Sequence, residues 1–176
     1  MKKRIILVLI SLMTVFSCAH AQAETSGQVY LDPFIGGTIS PDCGINLGVT
    51  CGYLFDYGLG LDGTVAYRRF CGSDAVQVGV GINYSYPYFY YSYPVMGVGA
   101  GVMIGLPQYY YDPTTVDPTF DYKLGYYFRV VHDYADIGVE YRGNLIFMMT
   151  TDGTARLWGK TLEHSLCAVF RVYLTH

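Results

Sequence analysis

The sequence predicts an all-β fold, an eight-stranded antiparallel up-and-down barrel, on three observations. Apolar side chains recur at every second position in segment after segment, which is the period of a β-strand. Charged residues make up only 14% of the chain, against about 25% in ordinary globular domains. Glycine occurs 21 times, often on the parity opposite to the apolar side chains. A helix would spread this pattern around its circumference and lose about 0.8–1 kcal/mol at each interior Gly.

The clearest strand covers residues 95–106. Its even-numbered positions from Met96 to Leu106 are apolar, whereas four odd-numbered positions are Gly97, Gly99, Gly101 and Gly105. One face is therefore apolar and the other nearly bare, which suits an apolar medium on one side and a crowded interior on the other. We expect these glycines to make room for bulky inward side chains. Those side chains are Lys123, Tyr127, Arg129 and Arg142.

The other strands follow from the same alternation. The first lies near Val29–Gly37, and Pro33 is expected to break it. The apolar faces of the remaining seven strands begin at Ile45, Leu59, Val76, Met96, Tyr122, Ile137 and Leu162. With an N-terminus in the periplasm, four connections lie outside: Thr38–Gly44, Arg69–Asp74, Pro107–Thr119 and Thr150–Lys160. The periplasmic connections are Asp56–Gly58, Tyr86–Pro94 and His132–Tyr134, and two of these are tight turns, as bacterial barrels prefer.

Charged residues of the predicted strands fall almost entirely on the non-apolar parity. They are Asp62, Arg68, Lys123, Arg129, Asp136, Glu140, Arg142, Glu163 and Arg171. A nearly balanced set of this kind can pair across a narrow interior, whereas an unpaired buried charge is very costly. The apolar face ends repeatedly in an aromatic residue, as a membrane interface requires. These aromatic residues are Tyr53, Phe55, Tyr67, Tyr84, Tyr126 and Phe147.

The two faces together predict a transmembrane barrel, with the apolar parity towards lipid. The alternative is a soluble secreted β-barrel or sandwich that buries its apolar face inward. Its glycine-rich face would then leave bare backbone in water, with few charges to protect the surface.

Residues 1–23 have the pattern of a secretory signal peptide. Lys2, Lys3 and Arg4 precede an apolar run, and Ala21-Gln22-Ala23 is an A-x-A cleavage site. The run is too short for a spanning helix, which needs roughly 20 residues. A lipoprotein signal with Cys18 as the modified residue is the alternative. Cleavage after Ala23 leaves residues 24–176 as the barrel domain.

The export signal, the strand pattern and the inward charges resemble those of the small OmpA/OmpX-type outer-membrane barrels, over residues 24–176. The resemblance implies an integral protein of the outer membrane of a Gram-negative bacterium, with a structural or surface-interaction role through its extracellular loops. Its implied partners are outer-membrane lipid, lipopolysaccharide and the outer-membrane assembly machinery. Such barrels commonly end in an aromatic residue, whereas the last aromatic residue here is Tyr173. A lumen of eight strands is only wide enough for side chains, which argues against a general pore.

The sequence predicts no catalytic, cofactor-binding or metal site. Glu163-His164-Ser165 has the residue types that a lipid A acyltransferase or deacylase would need. Adjacent residues of a strand point to opposite faces, however, so His164 would face lipid and the other two the interior. A narrow channel is a further alternative. Nucleic-acid binding is excluded by the net charge of −3 and the lack of a longer basic run than Lys2-Lys3-Arg4.

Four cysteines remain after cleavage. Cys43 and Cys71 lie in neighbouring outer loops and are the predicted disulfide pair, which an oxidising compartment allows. Cys51 and Cys167 lie within strands and are expected to be packing residues. In the loop at 111–118, Asp112 and Asp117 each precede a proline, which predicts a rigid exposed turn rather than a metal site.

Overall fold

The chain forms a single closed barrel of eight antiparallel strands, as predicted. The computed structural model describes residues 27–39, 43–55, 57–70, 73–86, 91–106, 116–132, 134–149 and 155–174. Each strand pairs with the next along the chain, and the last pairs with the first. The strands are β1 Gly27–Thr38, β2 Gly44–Phe55, β3 Leu59–Phe70, β4 Ser73–Ser85, β5 Ser92–Leu106, β6 Val116–Val131, β7 Ala135–Met149 and β8 Ala155–Tyr173. The predicted signal peptide lies outside the described residues, and within them no helix is long and apolar enough to cross a membrane.

The strand register is staggered around the barrel. A pairing row is the series of residues that lie directly opposite one another from strand to strand. The row that starts at Ala75 on β4 passes through all seven other strands and returns to β4 ten residues further on, at Ser85. Such a stagger accompanies the tilt of strands in a closed barrel. Side chains at one height therefore belong to different pairing rows. Arg68 on β3, for example, reaches Glu163 on β8 rather than its row partner Cys167.

The predicted sidedness of the strands is confirmed. Outward apolar side chains such as Leu61, Leu124 and Leu166 are about half exposed, and Val80 is 71% exposed. All nine predicted charged residues lie on the inward parity, and six of them are buried. Those six are Arg68, Asp136, Glu140, Arg142, Glu163 and Arg171. The soluble alternative, in which the apolar face packs inward, is not the fold of this chain.

Pro33 does not break the first strand. β1 runs without interruption from Gly27 to Thr38, with Pro33 exposed on the outer face and paired opposite Val49 of β2. On the β8 side the pairing is interrupted between Leu31–Val172 and Phe34–Val169, and the register is the same before and after the gap. Proline has no N–H to donate to the ladder. Its effect is therefore limited to one side of the strand.

The strands extend further than their alternation predicts. Arg69 and Asp74 belong to β3 and β4, β5 begins at Ser92, β6 at Val116 and β8 at Ala155. The predicted boundaries were wrong there because backbone pairing continues beyond the apolar band, where side chains no longer need to alternate. The turn between β2 and β3 is as tight as predicted, with Gly58 N–H donating to Phe55 O at 2.8 Å and Gly58 at φ 88°. Only glycine adopts this conformation readily.

The inward glycines of β5 divide into two groups. A Cβ added to Gly97 would lie 2.8 Å from Cε of Lys123, so this glycine does provide the predicted room. Gly99 and Gly101 instead lie directly opposite Gly81 and Gly79 of β4. The space for Tyr127 comes from Gly138 on β7, whose added Cβ would lie 2.8 Å from the tyrosine ring. The predicted role of Gly99 and Gly101 is therefore corrected: they allow two backbones to approach each other.

Replacing Gly101 by alanine is expected to destabilise the barrel. A Cβ at this position would lie 2.7 Å from Cα of Gly79, and backbone cannot yield as a flexible side chain can. We expect Gly101→Ala to lower the free energy of unfolding by about 1–3 kcal/mol, the usual cost of overpacking. Urea titration of the folded protein in lipid vesicles measures it. Gly37→Ala is the control, because its Cβ would have its nearest neighbour at 3.9 Å; equal losses in both variants would contradict the expectation.

Candidate functional site: the barrel interior and a cluster on its outer face

Arg171 of β8 is the centre of the interior at the end of the barrel that carries β1 Gly27. Its Nε and Nη2 atoms lie 2.8 and 2.7 Å from the two carboxylate oxygens of Asp32, and both side chains are fully buried. The guanidinium group is also 4.1 Å from the ring centroid of Tyr30 and 4.7 Å from that of Tyr127. A bidentate pair between two aromatic rings fixes both charges in one position. Asp32 was missed in the sequence because it adjoins Pro33, where the alternation was expected to end.

Two further ion pairs continue this network. Lys123 Nζ lies 2.6 Å from Asp62, which also accepts a hydrogen bond from Asn83 at 2.8 Å. Arg142 Nε donates to Glu140 at 2.6 Å, and its guanidinium group lies 3.6 Å from the ring centroid of Phe34. The predicted pairing of charges across strands is confirmed for Lys123 and Asp62, whereas Arg142 and Glu140 pair within β7.

A third set of polar residues lies nearer the opposite end. Glu163 accepts hydrogen bonds from Arg68 at 2.8 Å and from Thr38 at 3.2 Å. Gln77 donates to Asp121 at 2.6 Å. Asp121 was also missed in the sequence, because the predicted strand began at Tyr122, whereas β6 begins at Val116.

A small cavity lies between these networks and the glycines of β4 and β5. Its volume is about 50 Å³, and its lining includes Lys123, Arg68 and Asp121 opposite Gly81 and Gly99. A water molecule needs roughly 10–15 Å³ of such space. The cavity can therefore hold a few water molecules, and it is far smaller than an ordinary ligand pocket.

Aromatic and acidic groups close the interior at the end where β8 finishes. The hydroxyl groups of Tyr93 and Tyr173 both donate to Asp136, the latter at 2.8 Å. Arg129 lies 5.5 Å from the ring centroid of Tyr93. The polar contacts of the interior therefore extend to this end of the barrel.

The outer surface carries aromatic residues around the same end. Ring pairs form between Tyr53 and Phe55, at 4.9 Å, and between Tyr126 and Phe128, at 5.4 Å. Their outward direction was predicted. Tyr53 is only 8% exposed because its ring covers the backbone at Gly27.

One polar cluster lies on the outer face of β6, β7 and β8. His164 Nδ1 is 2.6 Å from the Tyr141 hydroxyl and 3.2 Å from the Tyr122 hydroxyl. The imidazole stacks on the Tyr141 ring at 5.5 Å. The Tyr122 ring lies where a Cβ of Gly143 would otherwise be. We call His164, Tyr122 and Tyr141 the outer His164 cluster.

Comparisons with solved structures agree with this architecture. Neisserial surface protein A matches with a TM-score of 0.63 and 16% identity, over 83% of this chain and 96% of that one. The N-terminal β-barrel domain of Pseudomonas aeruginosa OprF matches with a TM-score of 0.64 and 9% identity, over 85% and 100%. A de novo designed transmembrane β-barrel has a TM-score of 0.51, 18% identity and coverages of 87% and 100%. The chain has the fold of the small outer-membrane β-barrels. No family model matches the sequence, and no curated protein does so either.

The barrel geometry separates the three residues of the candidate catalytic sequence Glu163-His164-Ser165. Ser165 and Glu163 are buried inside, where Ser165 accepts from Asn46 at 3.2 Å and Glu163 pairs with Arg68. His164 faces outward, as predicted. The three side chains therefore have no shared proton path, and the triad that an acyltransferase or deacylase would need is not assembled here.

The cysteines contribute no metal or disulfide site in the described part of the chain. Cys51 is half-buried within β2. Cys167 is a free thiol, fully buried beside Asn46. Cys43 is exposed and free. Its expected partner Cys71 lies outside the described residues, so that pairing stays a prediction for the oxidised protein. No group of three His, Cys, Asp or Glu side chains that could hold a metal occurs among the described residues, and Asp112 lies outside them.

Proposed function

We propose that this chain is an integral protein of the outer membrane of a Gram-negative bacterium, with a structural or surface-interaction role through its extracellular loops. In this proposal a signal peptide of residues 1–23 directs export and is cleaved after Ala23. The outer-membrane assembly machinery then inserts the barrel, and outer-membrane lipid and lipopolysaccharide surround it. The partner of the extracellular loops is a molecule outside the cell.

The observation that carries the proposal is that apolar side chains lie on the outside of the barrel and charged side chains on the inside, the reverse of a soluble protein. Val80, Leu124 and Leu166 are among many large apolar side chains exposed on the outside, whereas Arg171 and Glu140 are completely buried. Monomeric soluble proteins rarely expose continuous apolar surface on this scale. A closed barrel has no unpaired edge strand, so its backbone is satisfied even in lipid.

The proposed location is tested by fractionation and gel migration. We expect the protein in the outer-membrane fraction, with a difference in migration between unboiled and boiled samples, because a folded barrel resists detergent at room temperature. An Arg171→Asp variant, which places two acids together inside, is the control for a barrel that does not fold. A soluble periplasmic species that migrates alike in both samples would overturn the proposal.

We further propose that the barrel has a filled interior and does not conduct ions. The ion pairs Arg68–Glu163 and Lys123–Asp62 join strands that are not neighbours and so cross the lumen. The buried Arg171–Asp32 pair and the stacked rings of Tyr93 and Tyr127 add bulk. Eight strands leave room for little more than such side chains.

Planar bilayers test this part of the proposal. The purified protein is expected to give no steady unitary current, because a permeating ion would have to displace buried pairs held at 2.6–2.8 Å. A wide general porin in the same bilayer is the positive control. Reproducible current steps of one size would instead favour the narrow channel.

The proposed role is also not enzymatic. The outward His164 and the inward Glu163 and Ser165 lie on opposite faces of one strand, and both inward side chains have partners in the interior. Phospholipid and lipid A hydrolysis by the purified protein is expected to stay at the level of a protein-free blank.

A further inference from the structure

The outer His164 cluster is a polar group within an apolar surface. The outward residues next to His164 along β8 are Leu162 and Leu166, which are 38% and 50% exposed. On β6, Tyr122 lies between the outward residues Phe120 and Leu124, which are likewise exposed. Two hydroxyl groups and one imidazole therefore converge where the rest of the face would contact acyl chains.

The contacts within the cluster favour one tautomer of the His164 imidazole. Each tyrosine hydroxyl has a proton that needs an acceptor in apolar surroundings, and both hydroxyl groups lie at Nδ1 of His164. In the tautomer in which Nδ1 accepts from the nearer hydroxyl, that of Tyr141, the ring proton is on Nε2. No acceptor for Nε2 is recorded among the described residues of the barrel. A buried or lipid-facing N–H without a partner is costly.

The position of His164 on the strand indicates which external group can reach it. β1 ends at Thr38, which pairs with Ser165, and Ile39 N–H donates to His164 O at 2.6 Å. His164 is thus level with the rim of the barrel wall on the β1 side. At the corresponding height on β3, Arg69 is a charged outward side chain that is 61% exposed. Charged side chains on the outer face mark the boundary of the apolar band.

We propose that the outer His164 cluster binds the phosphate of a lipid headgroup in the outer leaflet, with Nε2–H of His164 as the donor. Tyr122 and Tyr141 are positioning residues, because they hold the imidazole through Nδ1. A phosphate oxygen is favoured over an ester carbonyl because hydrogen bonds to an ionised acceptor are roughly twice as strong as neutral ones. This inference rests on the proposed location in the outer membrane.

Native mass spectrometry of the full chain, folded in detergent, tests the site with two probes. One probe is bis-phosphorylated lipid A and the other is the same lipid after removal of its phosphates. We expect the phosphorylated lipid to bind about tenfold more tightly, as one hydrogen bond to a charged group allows. His164→Leu is expected to remove this preference, whereas His132→Leu, at the other end of the barrel, retains it.

Two more variants separate the donor from a structural role. His164→Gln restores an N–H donor and is expected to keep part of the preference. Tyr141→Phe removes only the hydroxyl group that holds Nδ1, and it is expected to weaken the preference without changing the shift between boiled and unboiled samples.

Three results would overturn the inference. Equal binding of both lipids would assign the acceptor to the acyl ester or to no lipid group. Displacement of lipid by millimolar inorganic phosphate would indicate a site for a soluble anion instead. An unchanged preference in His164→Leu would place the phosphate elsewhere. Each of these is distinguishable from failure of the proposed function, because the gel shift of the same samples reports separately whether the barrel is folded.

Discussion

Arg171→Met is expected to lower the free energy of unfolding by about 3–5 kcal/mol, the usual cost of removing one partner of a buried ion pair. The variant leaves the carboxylate of Asp32 without the two hydrogen bonds at 2.7 and 2.8 Å that it accepts in the interior. It also removes the cation that lies between the rings of Tyr30 and Tyr127. Urea titration of the folded fraction in lipid vesicles, followed by the gel shift, measures the change.

Two controls determine whether burial of the pair is the cause. Arg69→Met removes an arginine that is 61% exposed and 3.7 Å from Asp74, so it is expected to cost less than about 1 kcal/mol. The double variant Asp32→Leu, Arg171→Met replaces both charges by apolar groups of similar size, and we expect it to recover most of the loss. A loss below about 1 kcal/mol in Arg171→Met alone would contradict this account of the interior.

Val80→Arg is expected to destabilise the barrel in lipid by about 2–4 kcal/mol, as charged substitutions near the bilayer midplane do. Val80 lies near the middle of β4 on the outer face and is 71% exposed, so the new side chain meets no protein atoms that it must displace. The cost arises from transfer of the guanidinium group into acyl chains. Urea titration in vesicles again measures the effect.

The matched control for Val80→Arg is Val116→Arg. Val116 is also exposed, but it is the first residue of β6, at the end of the strand. An arginine near the interface costs only about 0–1 kcal/mol. If both variants lost the same stability, or if neither did, the outward face would not be in contact with lipid.

The sequence predicted the strands best where one face is apolar and the other is not. In β5 every second residue from Met96 to Leu106 is apolar, and the structure places this parity outside. The prediction failed at the strand ends. Ala155 and Val116 begin strands within predicted loops, because backbone pairing there does not depend on alternating side chains.

The interior was predictable as a set of charges but not as a set of partners. The sequence placed Glu163 on the inward face but did not indicate its partner. The pairing row of Arg68 reaches β8 at Cys167, four residues from Glu163, with which Arg68 actually pairs. Likewise, the sequence placed His164 on the outer face but contained no signal that Tyr122 and Tyr141 would meet it there. Those residues lie on three different strands, and their meeting depends on the register.

The sequence by itself determined the class of fold and the direction of the side chains in the strands that it predicted, because a strand has a period of two residues and that period is local. Tertiary structure alone decided which side chains meet. The stagger of ten residues per circuit, from Ala75 to Ser85, sets the height of each residue relative to all others. This stagger belongs to the closed barrel as a whole and to no single strand. The contacts across the interior, Arg68–Glu163 and Lys123–Asp62, follow from it. The Arg171–Asp32 pair, the opposed glycines of β4 and β5 and the outer His164 cluster depend instead on the register between neighbouring strands.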